Sequence, residues 1–219
     1  MAVLVALGDS LVQGSQSLAT SRVDLSFPSI IARCLGLTGG DYAVPDFSGE
    51  GGLPFNLENM ARHLMHDFGP HIHGPEWIGA AVHIGRLLDK AEHYWERGPG
   101  ARPTTEALYH NLGVWSFQVC DAYTTTPHLC DEGIKRDKPD WFEPPAHGRL
   151  RTARRVLNPA QLPSRQGVTQ LGVAKEIAVR DGGIDHLVVL MGANNCLRAV
   201  WDLELRETGP HSPGPGTAF

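Results

Sequence analysis

A chain of 219 residues with 42% hydrophobic and 20% charged residues has the composition of a single domain that can bury a core of its own. Its formal net charge is −5 and it has no run of basic residues, which argues against nucleic acid as its main partner. No apolar stretch is long enough to cross a membrane and no basic segment precedes the apolar start, so the sequence predicts a cytoplasmic protein without a signal peptide or transmembrane segment.

The cysteines give little indication of metal or redox chemistry. Cys34, Cys120, Cys130 and Cys196 are scattered along the chain, and none forms a C-x-x-C pair. This spacing favours neither a zinc ribbon nor a redox motif. We expect all four to be small buried residues in a reducing compartment.

The first predicted strand is the apolar run 2–7, which stops at the turn Gly8-Asp9-Ser10-Leu11. A short run rich in Val and Leu and closed by a Gly turn is typical of a buried strand. Ser10 should therefore lie at the carboxyl end of this strand, where open α/β sheets bind their ligands. A serine in that place is a candidate nucleophile.

The rest of the chain alternates between predicted helices and strands. Apolar residues at helical spacing predict helices over 27–37, 56–68, 77–95, 117–123, 148–157 and 166–180. Further strands are predicted at 108–115, ending at Ser116, and at 186–191, ending at Gly192-Ala193-Asn194-Asn195. We interpret the chain as one domain with a helical insertion at about 57–108 and a loop-rich insertion at about 131–164.

Three polar residues follow the three predicted strands. Strands separated by helices imply a parallel sheet with right-handed crossovers. Because the carboxyl ends of parallel strands lie along one edge, Ser10, Ser116 and Asn194 are predicted to share a site.

The motifs around these residues resemble the conserved blocks of the SGNH/GDSL hydrolase family. Gly8-Asp9-Ser10-Leu11 is similar to its first block. The run 111–116 (Asn-Leu-Gly-Val-Trp-Ser) is similar to the second, which usually ends in Gly. Gly192-Ala193-Asn194-Asn195 is similar to the third, Gly-x-Asn-Asp, with Asn in place of Asp at the end. The resemblance implies an α/β fold of the three-layer, flavodoxin-like SGNH type with a parallel sheet.

The same resemblance implies roles in the hydrolysis of a small-molecule carboxylic ester. Ser10 would attack the ester carbonyl and form an acyl-enzyme. The main-chain N–H groups of Ser10 and Ser116 and the side-chain amide of Asn194 would stabilise the oxyanion. No metal or organic cofactor is implied, and the sequence does not distinguish acyl, lipid, sugar or thioester substrates.

The family's general base is missing from the sequence. The family takes it from an Asp-x-x-His block near the C-terminus, and no Asp of this chain is followed three residues later by His. His110, His186 and His211 are possible substitutes, but each is expected to be structural or solvent-exposed. The sequence thus predicts the N-terminal portion of a longer hydrolase, with an incomplete sheet, an exposed apolar edge and little esterase activity alone.

Two other classes of function stay open. One is a truncated or inactive relative that acts as a non-catalytic α/β binding domain. The other is a metal-binding module built on His63, His66, His71 and His73, which are close in sequence. No cysteine lies near these histidines, and we expect a solvated helix end and loop instead.

Overall fold

The structure is a computed structural model that describes residues 3–135 and 144–203. It is a mixed α/β arrangement with a small parallel sheet. Its strands are β1 (Leu4–Gly8), β2 (Ala19–Thr20), β3 (Leu53–Pro54) and β4 (His186–Leu190). Its helices are α1 (Ser10–Gln13), α2 (Phe27–Cys34), α3 (Leu57–Phe68), α4 (Glu76–Glu92), α5 (Asp121–Thr124), α6 (Pro127–Lys135), α7 (Gly148–Leu157), α8 (Gln170–Asp181) and α9 (Ala193–Asp202).

Strand β1 lies at the centre of the fold. It pairs in parallel with β4, so that Leu4 lies opposite His186 and Gly8 opposite Leu190. Val5 points into the larger hydrophobic core, whereas Leu4 packs in a smaller one with Ala32 of α2. Apolar side chains therefore cover both faces of β1, as expected for a strand of a parallel sheet. The predicted strands at the start and near the end of the sequence are confirmed.

The predicted strand 108–115 is wrong as a regular strand. The segment does run parallel to β1 on the side away from β4, but its bridge to β1 consists of the single pair Ala6 and Asn111. The regular strand ladder is interrupted locally, because the Asn111 side-chain oxygen accepts a hydrogen bond from the Gly113 N–H at 2.9 Å. A side chain that bonds its own backbone competes with the regular ladder.

Strand β4 confirms the predicted exposed apolar edge. The side chains of Leu187 and Val189 are 54% and 57% exposed. Among the described residues β4 pairs with β1 alone, through bonds such as His186 N–H to the Val3 oxygen at 2.9 Å. Since backbone groups alternate along a strand, the N–H and C=O groups on its other edge have no strand partner within residues 3–135 and 144–203.

The helix predictions are confirmed for α3, α4 and α7, while several other boundaries were wrong. Helix α2 stops at Cys34 rather than at 37, and the helix expected over 117–123 is reduced to the single turn α5. Helix α8 begins at Gln170 rather than 166, because the Thr169 hydroxyl caps it by accepting from the Gly172 N–H at 3.1 Å. Helix α6 was not predicted.

The expectation that all four cysteines are buried is half wrong. Cys120 and Cys130 are buried, but Cys34 and Cys196 are exposed, and all four are free thiols. Cys34 is on the outer side of α2, whose buried residues include Pro28 and Ala32.

Candidate functional site

The turn after β1 is built around Asp9. This fully buried residue caps α1, and its Oδ1 accepts from the Leu11 N–H at 3.0 Å. A methyl group on Gly8 would lie 2.4 Å from the Leu190 oxygen and 2.2 Å from Val12, so no larger residue fits there. This close approach places Ser10, the first residue of α1, directly beyond the end of the strand.

The three segment ends predicted to form a site come together at this turn. The Asp9 N–H donates to the Leu190 oxygen of β4 at 3.4 Å, and the Val114 N–H donates to the Gly8 oxygen at 3.1 Å. The side-chain nitrogen of Asn194 lies 3.4 Å from Oδ2 of Asp9. Hydrogen bonds thus link all three ends directly.

Ser10 has a partly exposed side chain. Among the described residues, nothing forms a hydrogen bond with its hydroxyl, and nothing accepts from its main-chain N–H. Both groups are therefore available to a ligand.

Ser116 occupies an unusual backbone position. Its φ is +61°, in the left-handed region that favours glycine. The residues on both sides are held, since Trp115 N–H donates to Oε1 of Gln13 at 2.9 Å and Phe117 N–H to the Val114 oxygen at 3.2 Å. No acceptor for the Ser116 N–H is found in residues 3–135 and 144–203.

Asn194 lies in the first turn of α9 and is partly exposed. Its amide nitrogen donates to the Phe117 oxygen at 2.8 Å as well as to Asp9 at 3.4 Å. The buried Asn195 adds a second link, because its Oδ1 accepts from the Val119 N–H at 3.0 Å. The start of α9 is thereby fixed against the turn that follows Ser116.

An ion pair stabilises the turn that follows Ser116. The buried Asp121 carboxylate accepts from the Gln118 N–H at 2.8 Å and from Nη1 of Arg149 at 3.1 Å. Arg149 belongs to α7, so this helix helps to hold the chain that carries Ser116.

Three buried amides that position the site were missed by sequence reasoning. Gln13, Asn111 and Gln170 each bridge separate segments near the turn after β1. Asn111 donates from its amide nitrogen to the Val12 oxygen at 3.0 Å, and the Gln13 side-chain oxygen accepts from the Thr20 hydroxyl at 2.9 Å. Asn111 begins the run that resembles the second block, but no signal in the sequence marks Gln13 or Gln170, because Gln is far more common on exposed surfaces.

No histidine supplies a base to Ser10 in the described part of the chain. The two ring nitrogens of His110 are engaged elsewhere, Nδ1 by the Ala43 N–H at 2.9 Å and Nε2 by Arg180 at 3.4 Å. Burial, together with the charge of Arg180, lowers the pKa of His110. His186 is exposed at the start of β4, and His211 lies outside the described residues.

The histidines considered for a metal site do not converge. His66 and His83 both contact the Asp67 carboxylate, at 2.7 and 3.1 Å, while the His71 and His73 rings pack on each other. Within residues 3–135 and 144–203, no three His, Cys, Asp or Glu side chains are placed to hold one metal ion.

The described residues define a mixed α/β protein with polar residues at the meeting point of its parallel segments. Comparisons with protein-family models, with curated proteins and with solved structures found no match. None of the helices in the described ranges is both long and apolar enough to span a bilayer.

Proposed function

We propose that this protein is a serine-dependent carboxylic ester hydrolase of the SGNH/GDSL type, with Ser10 as its nucleophile. One observation carries the proposal. The turn after β1 presents an unbonded serine hydroxyl at the point where the segments ending in Ser116 and Asn194 meet. The proposal includes a flavodoxin-like three-layer fold in one domain, which is supported by the apolar cover on both faces of β1.

The proposed chemistry is acyl transfer. The Ser10 Oγ attacks the ester carbonyl carbon, and the carbonyl oxygen becomes an oxyanion. The main-chain N–H groups of Ser10 and Ser116, which have no acceptor among the described residues, would donate to it. Asn194 would contribute the proton that now makes the longer, 3.4 Å contact with Asp9. Collapse expels the alcohol, and water then releases the acid from Ser10.

The proton of Ser10 has no protein acceptor in the described part of the chain. A serine hydroxyl without a base is a weak nucleophile at neutral pH. We therefore expect little ester turnover by this polypeptide alone. The rate at which Ser10 reacts should rise continuously with pH, because hydroxide takes the proton, and it should show no plateau near the pKa of a histidine.

Labelling with a fluorophosphonate probe tests this proposal. The wild-type protein is incubated with the probe across a pH series, and the modified peptide is located by mass spectrometry. We expect one adduct, on Ser10, whose formation accelerates with pH and is absent in Ser10→Ala. The exposed Ser164→Ala is the matched control and should label like the wild type. An absent Ser10 adduct at every pH contradicts the proposal.

A non-catalytic α/β binding domain is the second candidate. The observation in its favour is that both protons of the Asn194 amide have acceptors within the protein, Phe117 and Asp9. A folded protein that never labels at Ser10 but binds an acyl or carbohydrate ligand would support this alternative.

A further inference from the structure

The amide of Asn194 is held in one of its two orientations. An Asn side chain can exchange the places of its oxygen and nitrogen by a half-turn. Here the nitrogen lies between two acceptors, the Phe117 oxygen at 2.8 Å and Oδ2 of Asp9 at 3.4 Å. No described residue donates to its Oδ1. A half-turn would set the Asn194 oxygen against both acceptors, so the observed orientation is favoured.

The Asp9 carboxylate can orient the Asn194 amide and cap α1 at the same time, because each of its two oxygens accepts a hydrogen bond. Oδ1 takes the Leu11 N–H at 3.0 Å and Oδ2 takes the Asn194 amide. The residue is fully buried, so water does not compete for these bonds.

We propose that Asp9 is a positioning residue that holds the amide nitrogen of Asn194 towards the Ser10 end of the site. This inference rests on the proposed function, in which Asn194 donates to an oxyanion formed at Ser10. When the negative charge develops, the Asn194 amide has only to exchange its long 3.4 Å contact with Asp9 for the oxyanion and does not have to turn over. Asp9 itself touches neither the ester nor the reacting atoms in this account.

The test is Asp9→Asn. Asparagine caps helices about as well as aspartate, so its oxygen should keep the bond to the Leu11 N–H. Its NH₂ group then faces the NH₂ group of Asn194, which has to turn away. We expect a folded protein whose Ser10 labels with the fluorophosphonate at least roughly tenfold more slowly, since losing one oxyanion donor costs about a hundredfold or more. The matched control is Asp24→Asn, an exposed change of the same kind far from the site in sequence, which should label at the wild-type rate.

A readout independent of reactivity is the side-chain amide signal of Asn194 in a ¹H–¹⁵N spectrum, assigned with Asn194→Ala. We expect this signal to move in Asp9→Asn and to stay in place in Asp24→Asn. If the wild type never labels at Ser10, the proposed function fails, and the spectrum still decides whether Asp9 orients Asn194. An unchanged Asn194 signal in Asp9→Asn overturns the inference.

The double variant Asp9→Asn with Asn194→Asp covers the case in which Asp9→Asn unfolds. It exchanges donor and acceptor between positions 9 and 194, so the hydrogen bond between them should re-form. The thermal midpoint should recover only in part, because the carboxylate at position 194 has no proton for the Phe117 oxygen. Labelling of Ser10 should remain slow, because position 194 then offers no amide donor. Recovery of wild-type labelling in the double variant overturns the inference.

Discussion

The side-chain nitrogen of Gln170 donates to the main-chain oxygen of Gly8 at 2.9 Å. The same nitrogen lies 2.6 Å from the Leu112 oxygen, so one buried amide joins α8 to the end of β1 and to the segment beside it. Gly8 is two residues before Ser10. The Gln170 amide therefore fixes the start of the turn that carries Ser10, the proposed nucleophile.

Replacing Gln170 with Met should destabilise the protein. The two carbonyl oxygens lose a shared buried donor, and we expect the free energy of unfolding to fall by about 2 kcal/mol. Urea denaturation measures this change. Lys175→Met, on the exposed side of the same helix, is the control and should change stability by less than about 0.5 kcal/mol. Equal losses of unfolding free energy in Gln170→Met and Lys175→Met would contradict the bridging role of Gln170.

Ser116 should tolerate Gly better than it tolerates Val. Its left-handed φ of +61° costs an L-residue about 1–2 kcal/mol, part of which Gly regains against its own entropy cost of about 0.5–1 kcal/mol. Ser116→Gly should be neutral or more stable by up to about 1 kcal/mol, and the β-branched Ser116→Val clearly less stable. Chemical denaturation measures the free energy of unfolding of both variants. A Val variant as stable as the Gly variant would contradict the left-handed backbone conformation at position 116.

His110 should make the protein less stable as the pH falls below neutrality. Burial and Arg180 lower its pKa from the ordinary value of 6.5, so the folded state disfavours the protonated ring. Below about pH 6.5 the unfolded state binds more protons, and stability is lost as the pH falls towards the lowered pKa of the folded state. His110→Asn keeps an acceptor for the Ala43 N–H but does not titrate. Denaturation at several pH values should show the wild type losing stability relative to this variant, and a constant difference would contradict the prediction.

The four thiols should react in two classes. Cys34 and Cys196 are exposed, whereas burial raises the pKa of Cys120 and raises that of Cys130 to about 12. A thiolate is the reactive species, so a thiol-specific disulfide reagent should modify two cysteines quickly and the other two after denaturation. Cys34→Ser and Cys196→Ser should each remove one fast thiol. Four equally fast thiols in the native protein would contradict the structure.

Strands β1 and β4 could be predicted from sequence because short apolar runs bounded by turn residues are typical of strands, although only β1 is buried along its whole length. The segment 108–115 could not, since its Asn111 side chain bonds the chain locally and interrupts the ladder. Helix α8 gives a second example. Leu171 is 47% exposed, although apolar periodicity favours burial of such a residue, and the polar Gln170 beside it is fully buried instead. Periodicity weighs apolar residues and therefore misses a buried amide that pairs with main-chain oxygens.

For the candidate site, the sequence predicted which segments meet but not how their side chains are held. The meeting follows from the parallel arrangement of strand ends, which places Ser10 and Asn194 at one edge. The bonds of Asn194 to Asp9 and Phe117 depend on distances between residues far apart in the chain. Short-range patterns carry no information on such contacts.

Trapping of an acyl-enzyme shows directly whether Ser10 acts as a nucleophile. On incubation with p-nitrophenyl acetate, the Ser10 oxygen should form a bond to the acetyl carbon, p-nitrophenolate should leave, and the hydroxyl proton should pass to solvent. The peptide that contains Ser10 should carry one acetyl group in the wild type and none in Ser10→Ala, with little sustained turnover because no described base completes the cycle. Acetylation confined to lysines, with Ser10 unmodified, would contradict the account.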